Sequence, residues 1–63
     1  MDNLRVGTVV YHRAHAMHGP GTVVAITHDD ILGVDFHSVL WQNAGVTLEH
    51  LRRNLMTLAE KEG

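Results

Sequence analysis

Every β-forming run between residues 6 and 45 is short, and each is cut off by Gly, Pro, Asp, Asn or Ser. That punctuation leaves no room for the crossover of a dozen or more residues that a parallel strand pair requires. Paired strands must therefore be antiparallel, and a doubly wound sheet is excluded. Val6 to Arg13 reads as a first strand, carried by the β-formers Val6, Thr8, Val9, Val10 and Tyr11. Ala14 to Gly21 reads as a loop ended by Gly19-Pro20-Gly21, since Pro20 cannot donate to a ladder and belongs at a strand start or an edge. Thr22 to Thr27 is a second strand, with Val24 and Ile26 on one face and Val23 and Ala25 on the other. His28-Asp29-Asp30 makes a tight turn, because Asp bonds its own backbone. Ile31 to His37 is a third strand, with Leu32, Val34 and Phe36 inward and Ile31, Gly33, Asp35 and His37 toward water. His37-Ser38 turns into a fourth strand, Val39 to Gln42, and Asn43-Ala44-Gly45 breaks it. In this reading Val9, Val24, Val34 and Phe36 fill the interior.

The pattern changes near residue 47. Leu48, Leu51, Leu55 and Leu58 follow at spacings of three and four, which predicts one apolar stripe on a helix from about Leu48 to Glu60. Thr47 serves as its N-cap, Glu49 pairs with Arg53 at i,i+4, and Glu49 lies near the positive end of the helix dipole. The expected architecture is mainly β: a bent sheet or barrel of four to five antiparallel strands over residues 5–43, with an amphipathic helix over 47–61, in a single domain 1–63. The same leucines also fit two heptads, and as a seam through Leu48, Leu51, Leu55 and Leu58 they would join two copies. A chain of 63 residues buries only about 60% of the surface its unfolded form exposes, so such support is welcome.

Composition narrows the function. There is no Cys, which excludes disulfides, thiol nucleophiles and Cys-ligated zinc. No apolar run reaches the ~18 residues of a membrane span, and Met1 to Arg5 lacks a signal-peptide layout, so the expected location is the cytoplasm. Five Lys/Arg against seven Asp/Glu leave a net charge of −2, whereas a dedicated duplex-DNA binder of this size is usually basic. A chain this short has little room for a catalytic apparatus, which points to a binding module with no cofactor.

The runs Val6-Gly7-Thr8-Val9-Val10-Tyr11-His12 and Gly19-Pro20-Gly21-Thr22-Val23-Val24, followed by a turn and Val34-Asp35-Phe36, follow a V-G-x-x-V-x-H, G-x-G-x-V, V-x-F pattern. It resembles the Tudor-like (SH3-like) barrel at the C-terminus of UvrD/PcrA-type repair helicases. It is similar, more weakly, to the RNA-polymerase-interacting domain of CarD-type transcription factors and to HspQ/YccV-like barrels. The likeness covers residues 4–43. The loop between His12 and Gly19 is longer than in the helicase domain, and the aromatic-rich segment of the HspQ-like barrel is missing. The resemblance implies a non-enzymatic SH3/Tudor-like module that docks on a protein of the transcription or repair machinery, such as RNA polymerase or a helicase-associated factor. In the CarD relatives that contact is made by adding to a sheet edge, and here the edges at Ile31 to His37 or after Gly21 are the candidates.

Six His among 63 residues is the one unusual count. His12, His15 and His18 form an H-x-x-H-x-x-H run that could ligate a transition metal, although no Cys or nearby carboxylate completes the set. The competing reading is a solvated loop, in which a His12 ring nitrogen bonds a backbone carbonyl across the barrel and His15 and His18 face a partner. Trp41, the one Trp, is either a surface anchor for a partner or packs on the C-terminal helix. Arg52 and Arg53 complete the expected partner-binding set of Trp41, His15, His18, Arg52 and Arg53. If the ligand is nucleic acid instead, Arg5, Arg13, Arg52, Arg53 and Trp41 are the residues to carry it. A methyl-lysine cage from Tyr11, Phe36 and Trp41 would need the three rings on one side. Asp29, Asp30 and Asp35 read as turn acids.

Overall fold

The computed structural model describes residues 4–63. Five strands form one antiparallel sheet: β1 (Val9–His12), β2 (Gly21–Asp29), β3 (Val34–Trp41), β4 (Val46–Leu51) and β5 (Leu55–Thr57). Their order is β4-β3-β2-β1-β5, so the sheet is not closed and β4 and β5 stand at its two edges. Two 3-10 turns, Ala16–His18 and Arg52–Asn54, interrupt the connections, and a short helix α1 (Leu58–Glu62) ends the chain. The fold is mainly β, a small open barrel-like sheet, as the punctuation requires. No helix among the described residues is long and apolar enough to cross a membrane.

The helix expected over 47–61 is corrected to α1 alone. Val46 to Leu51 pairs residue for residue with β3, and Leu55 to Thr57 pairs with β1. These two ladders satisfy the backbone of the segment and override its helical spacing. The N-cap is Thr57, not Thr47: its hydroxyl accepts from the Glu60 amide while the Glu60 carboxylate accepts from the Thr57 amide. The barrel therefore does not end at residue 43. The two expected hairpins also move. His37 and Ser38 lie inside β3, and the turns fall at residues 30–33 and 42–45. In the first, the Asp29 carboxylate accepts from the amides of Ile31 and Leu32, both at 2.9 Å. In the second, Gly45 takes a φ of 67° and donates its amide to the Trp41 carbonyl. The leucine seam disappears with the helix, because Leu55 is fully buried while Leu48 and Leu58 lie half-exposed on different elements.

Except beyond the bulge in β2, where Ile26 keeps its expected side, the strand faces are the reverse of those expected. The core is Leu4, Val10, Val23, Val39, Trp41 and Leu55, with His12 and His37 buried beside it. Val9 and Val24 are exposed, and Val34 and Phe36 only half-buried. A one-residue shift moves every side chain to the opposite face. Gly21 sets the parity: a Cβ on it would lie 2.5 Å from Val39 Cγ1 and 2.6 Å from Trp41 Cε3, so this residue faces the core and Val23 does too. A bulge between Val23 and Ala25 then spends one residue, Val24, outside the alternation. Ile26 thus pairs with His37 on the inner face.

Candidate functional site

The inner face beside the 13–20 loop gathers aromatic rings from four parts of the chain. His12 comes from β1, His15 and His18 from the loop and its 3-10 turn, Trp41 from the end of β3 and His50 from β4. The His12 ring centroid lies 4.7 Å from His15, 5.7 Å from His18 and 5.0 Å from His50. Trp41 is 5.4 Å from both His18 and His50. The sequence run brings the first three histidines together. His50 joins them only because β4 is a strand, and a helical reading of residues 47–61 had no way to place it there.

Two of the rings have settled hydrogen-bond roles. His12 Nδ1 accepts from the backbone amides of Ala14 at 3.1 Å and His15 at 3.2 Å. His50 Nε2 accepts from the Trp41 indole N–H at 3.1 Å. Amide and indole N–H groups only donate, so both ring nitrogens are unprotonated and each neutral ring carries its proton on the other nitrogen. His12 and His50 are consequently left with no lone pair for a metal. The metal set His12, His15, His18 is reduced to two rings, and the described residues hold no group of three or more His, Cys, Asp or Glu placed for a metal ion. Burial, the largest cause, and the neighbouring imidazoles hold His12 and His50 below the ordinary histidine pKa.

The remaining expected residues separate. Trp41 is 1% exposed, so it anchors the interior and neither meets a partner at the surface nor packs on a long helix. Tyr11 lies under the Lys61 ammonium at 4.6 Å, away from Trp41, and no cage forms. Arg13 donates to the carbonyls of Arg53 at 3.0 Å and Leu55 at 3.3 Å. Arg52 donates to the Leu55 carbonyl and to both Glu60 carboxylate oxygens. Two of the four arginines offered for phosphate thus fasten β5 and α1 instead. Arg5 and Arg53 are exposed. Asp30 and Asp35 flank the exposed His28 ring at 3.3 and 2.6 Å, locking the β2–β3 hairpin.

Two surface features remain. A cavity of about 590 Å³ is lined by Leu4, Ile26, Val34, Leu51 and the polar Asp35, His37, Arg52 and Arg53. His37 Nδ1 is sealed from solvent with no hydrogen-bond partner among the described residues, and the lining mixes both charge signs, so the walls single out no occupant. The second feature is the outer edge of β4. The expected docking edges, at Ile31 to His37 or after Gly21, are corrected: β2 and β3 are interior strands. Of the two true edges, β5 is three residues long and its Leu55 carbonyl already takes both arginines. β4 runs six residues, and among the described residues no strand pairs with its outer side. Its inward Val46 and Leu48 are 44% and 47% exposed, although their pair mates Trp41 and Val39 are sealed. Compared with protein-family models, curated proteins and solved structures, the chain matches none.

Proposed function

We propose that this protein is a non-catalytic docking module that takes an extended segment of a protein partner as an added strand along β4. The observation that carries this reading is the uncovered six-residue edge with half-exposed Val46 and Leu48 on its inner side. A free strand edge presents main-chain donors and acceptors, and alternate side chains of the added strand supply selectivity. Edges that must stay unpaired usually carry Pro, Lys or a bulge. β4 has neither Pro nor Lys, and its six-residue register with β3 is unbroken. A partner segment with apolar residues at alternate positions would cover Val46 and Leu48 and extend the core. The partner class is that of the barrel resemblance, the transcription or repair machinery, with RNA polymerase the first to be tried.

The test is binding of nuclease-treated RNA polymerase from the native host, followed by interferometry, for the wild type and for Leu48→Lys. The variant places an inward charge on the edge and should weaken binding at least about tenfold, the effect of losing one anchor residue. Equal affinity for both proteins would remove β4 as the docking edge. Binding that disappears on nuclease treatment would assign the ligand as nucleic acid.

A further inference from the structure

We propose that residues 14–19 form a proton-released flap, held over Trp41 while His12 and His50 are neutral and let go when either ring takes up a proton, with Arg13 as its fixed hinge through bonds to the Asn54, Arg53 and Leu55 carbonyls. Among the described residues, the hydrogen bonds joining residues 14–19 to the rest of the chain are the two from the Ala14 and His15 amides to His12 Nδ1. The other loop bonds, His18 amide to His15 carbonyl and Gly19 amide to Ala16 carbonyl, are internal. A second latch lies behind the first: the Trp41 indole donates to His50 Nε2, and His18 packs against the same indole.

Protonation reverses both latches. An imidazolium ring has two N–H donors and no acceptor. Protonated His12 would point an N–H at two amide N–H groups, and protonated His50 would point one at the indole N–H. Neither arrangement is a hydrogen bond, so the Ala14 and His15 amides would lose their acceptor and turn to water.

Among the described residues, none offers a compensating negative charge. His12 faces His15, His18 and His50, and His50 faces His12, Trp41 and its cross-strand neighbour His37. From β5, Leu55 pairs with His12, and its carbonyl collects the Arg13 and Arg52 guanidinium groups. Glu49, adjacent to His50, alternates to the other face, and Glu60 is engaged by Arg52. Each proton added therefore meets other imidazoles or guanidinium groups. The loop is the part able to yield, since it has no strand pairing and its Met17 is 88% exposed.

Trp41 is the only Trp, so its fluorescence reports the flap directly. The experiment is a titration of the full chain from pH 8 to pH 4.5, recording Trp41 emission, far-ultraviolet circular dichroism and amide exchange. The expected result is a shift of Trp41 emission below pH 6.5 with the sheet signal retained. Exchange at the Ala14 and His15 amides, corrected for its intrinsic pH dependence, should rise by up to about tenfold per pH unit for each proton taken up. Exchange at the Val23 amide, bonded to the Thr8 carbonyl, should stay slow. His12→Asn with His50→Gln keeps a side-chain oxygen acceptor at each place and removes both titrations, so this double variant should hold Trp41 emission constant. An unchanged wild-type emission to pH 5, loop amides that open only together with Val23, or the same transition in a folded double variant would each overturn the proposal. If the double variant does not fold, the comparison of Ala14 and His15 with Val23 in the wild type decides it alone.

Discussion

Single residues decide which way this sheet faces. Val9-Val10 and Val23-Val24 are adjacent pairs of identical β-formers, so hydrophobic alternation fits either parity. Gly21 breaks the tie, because only a residue without a Cβ fits against Val39 and the Trp41 ring. Gly21→Ala should therefore destabilise the protein by about 1–3 kcal/mol, the usual cost of an overpacked core. Urea unfolding followed by circular dichroism checks it, and a neutral substitution would mean that β2 can retreat from Trp41. The glycine was visible in the sequence, but its close contact was not, since the contact needs Trp41 brought across from β3. The same limit applies to His50. Its place among the loop histidines has no local signal and follows entirely from the β3–β4 register.

At the scale of elements, the segment 46–62 shows why local period misleads. Leu48, Leu51, Leu55 and Leu58 would share one environment on a helix, whereas here they occupy four. Leu48 is a half-exposed edge residue, Leu51 lines the cavity, Leu55 is sealed in the core and Leu58 starts α1. Alanine substitution separates the two arrangements. Leu55→Ala should cost about 2–5 kcal/mol, as buried leucines do, while Leu48→Ala and Leu58→Ala should each cost less than about 1 kcal/mol. Equal losses at all three would restore the helix. The first two strands and the antiparallel order were legible because turn residues mark them, but the expected strands Ile31 to His37 and Val39 to Gln42 are one strand, β3, with residues 31–33 in the turn. The β3–β4 turn was legible only as a break, although Asn43-Ala44-Gly45 holds the positive-φ glycine that a reversal needs. What hid β4 and β5 was competition: an amphipathic period of leucines overlies strands whose stability comes from partners far away in the chain. The helix capping chemistry was real but displaced, with Thr57 and Glu60 making the reciprocal bonds ten residues beyond Thr47.

For the whole molecule, the histidine cluster couples folding to acidity. His12 and His50 both have folded pKa values lowered by burial and by the other imidazoles. Their neutral forms are the ones the fold selects. Stability from them is complete above the unfolded value of about 6.5 and is lost as pH falls through that value toward the folded ones, because the unfolded chain binds protons that the folded chain refuses. Two such groups set an upper slope of about 2.7 kcal/mol per pH unit. Glu60 acts in a lower window. Its pKa is lowered first by the Thr57 backbone amide and then by Arg52, so its contribution is present above the ordinary carboxylate value and disappears below it. Urea unfolding at a series of pH values should therefore show stability level from pH 8 to 7 and declining below 6.5. The flap changes the shape of that decline. Once the open loop is populated, the folded chain also takes up the protons, the difference in bound protons shrinks, and the curve flattens before the Glu60 window begins. A rigid, closed loop would instead give a decline that steepens to that upper slope and keeps it until the whole chain unfolds. Stability that does not change between pH 7.5 and 5 would remove the linkage altogether, and with it the role of the buried imidazoles in holding this fold.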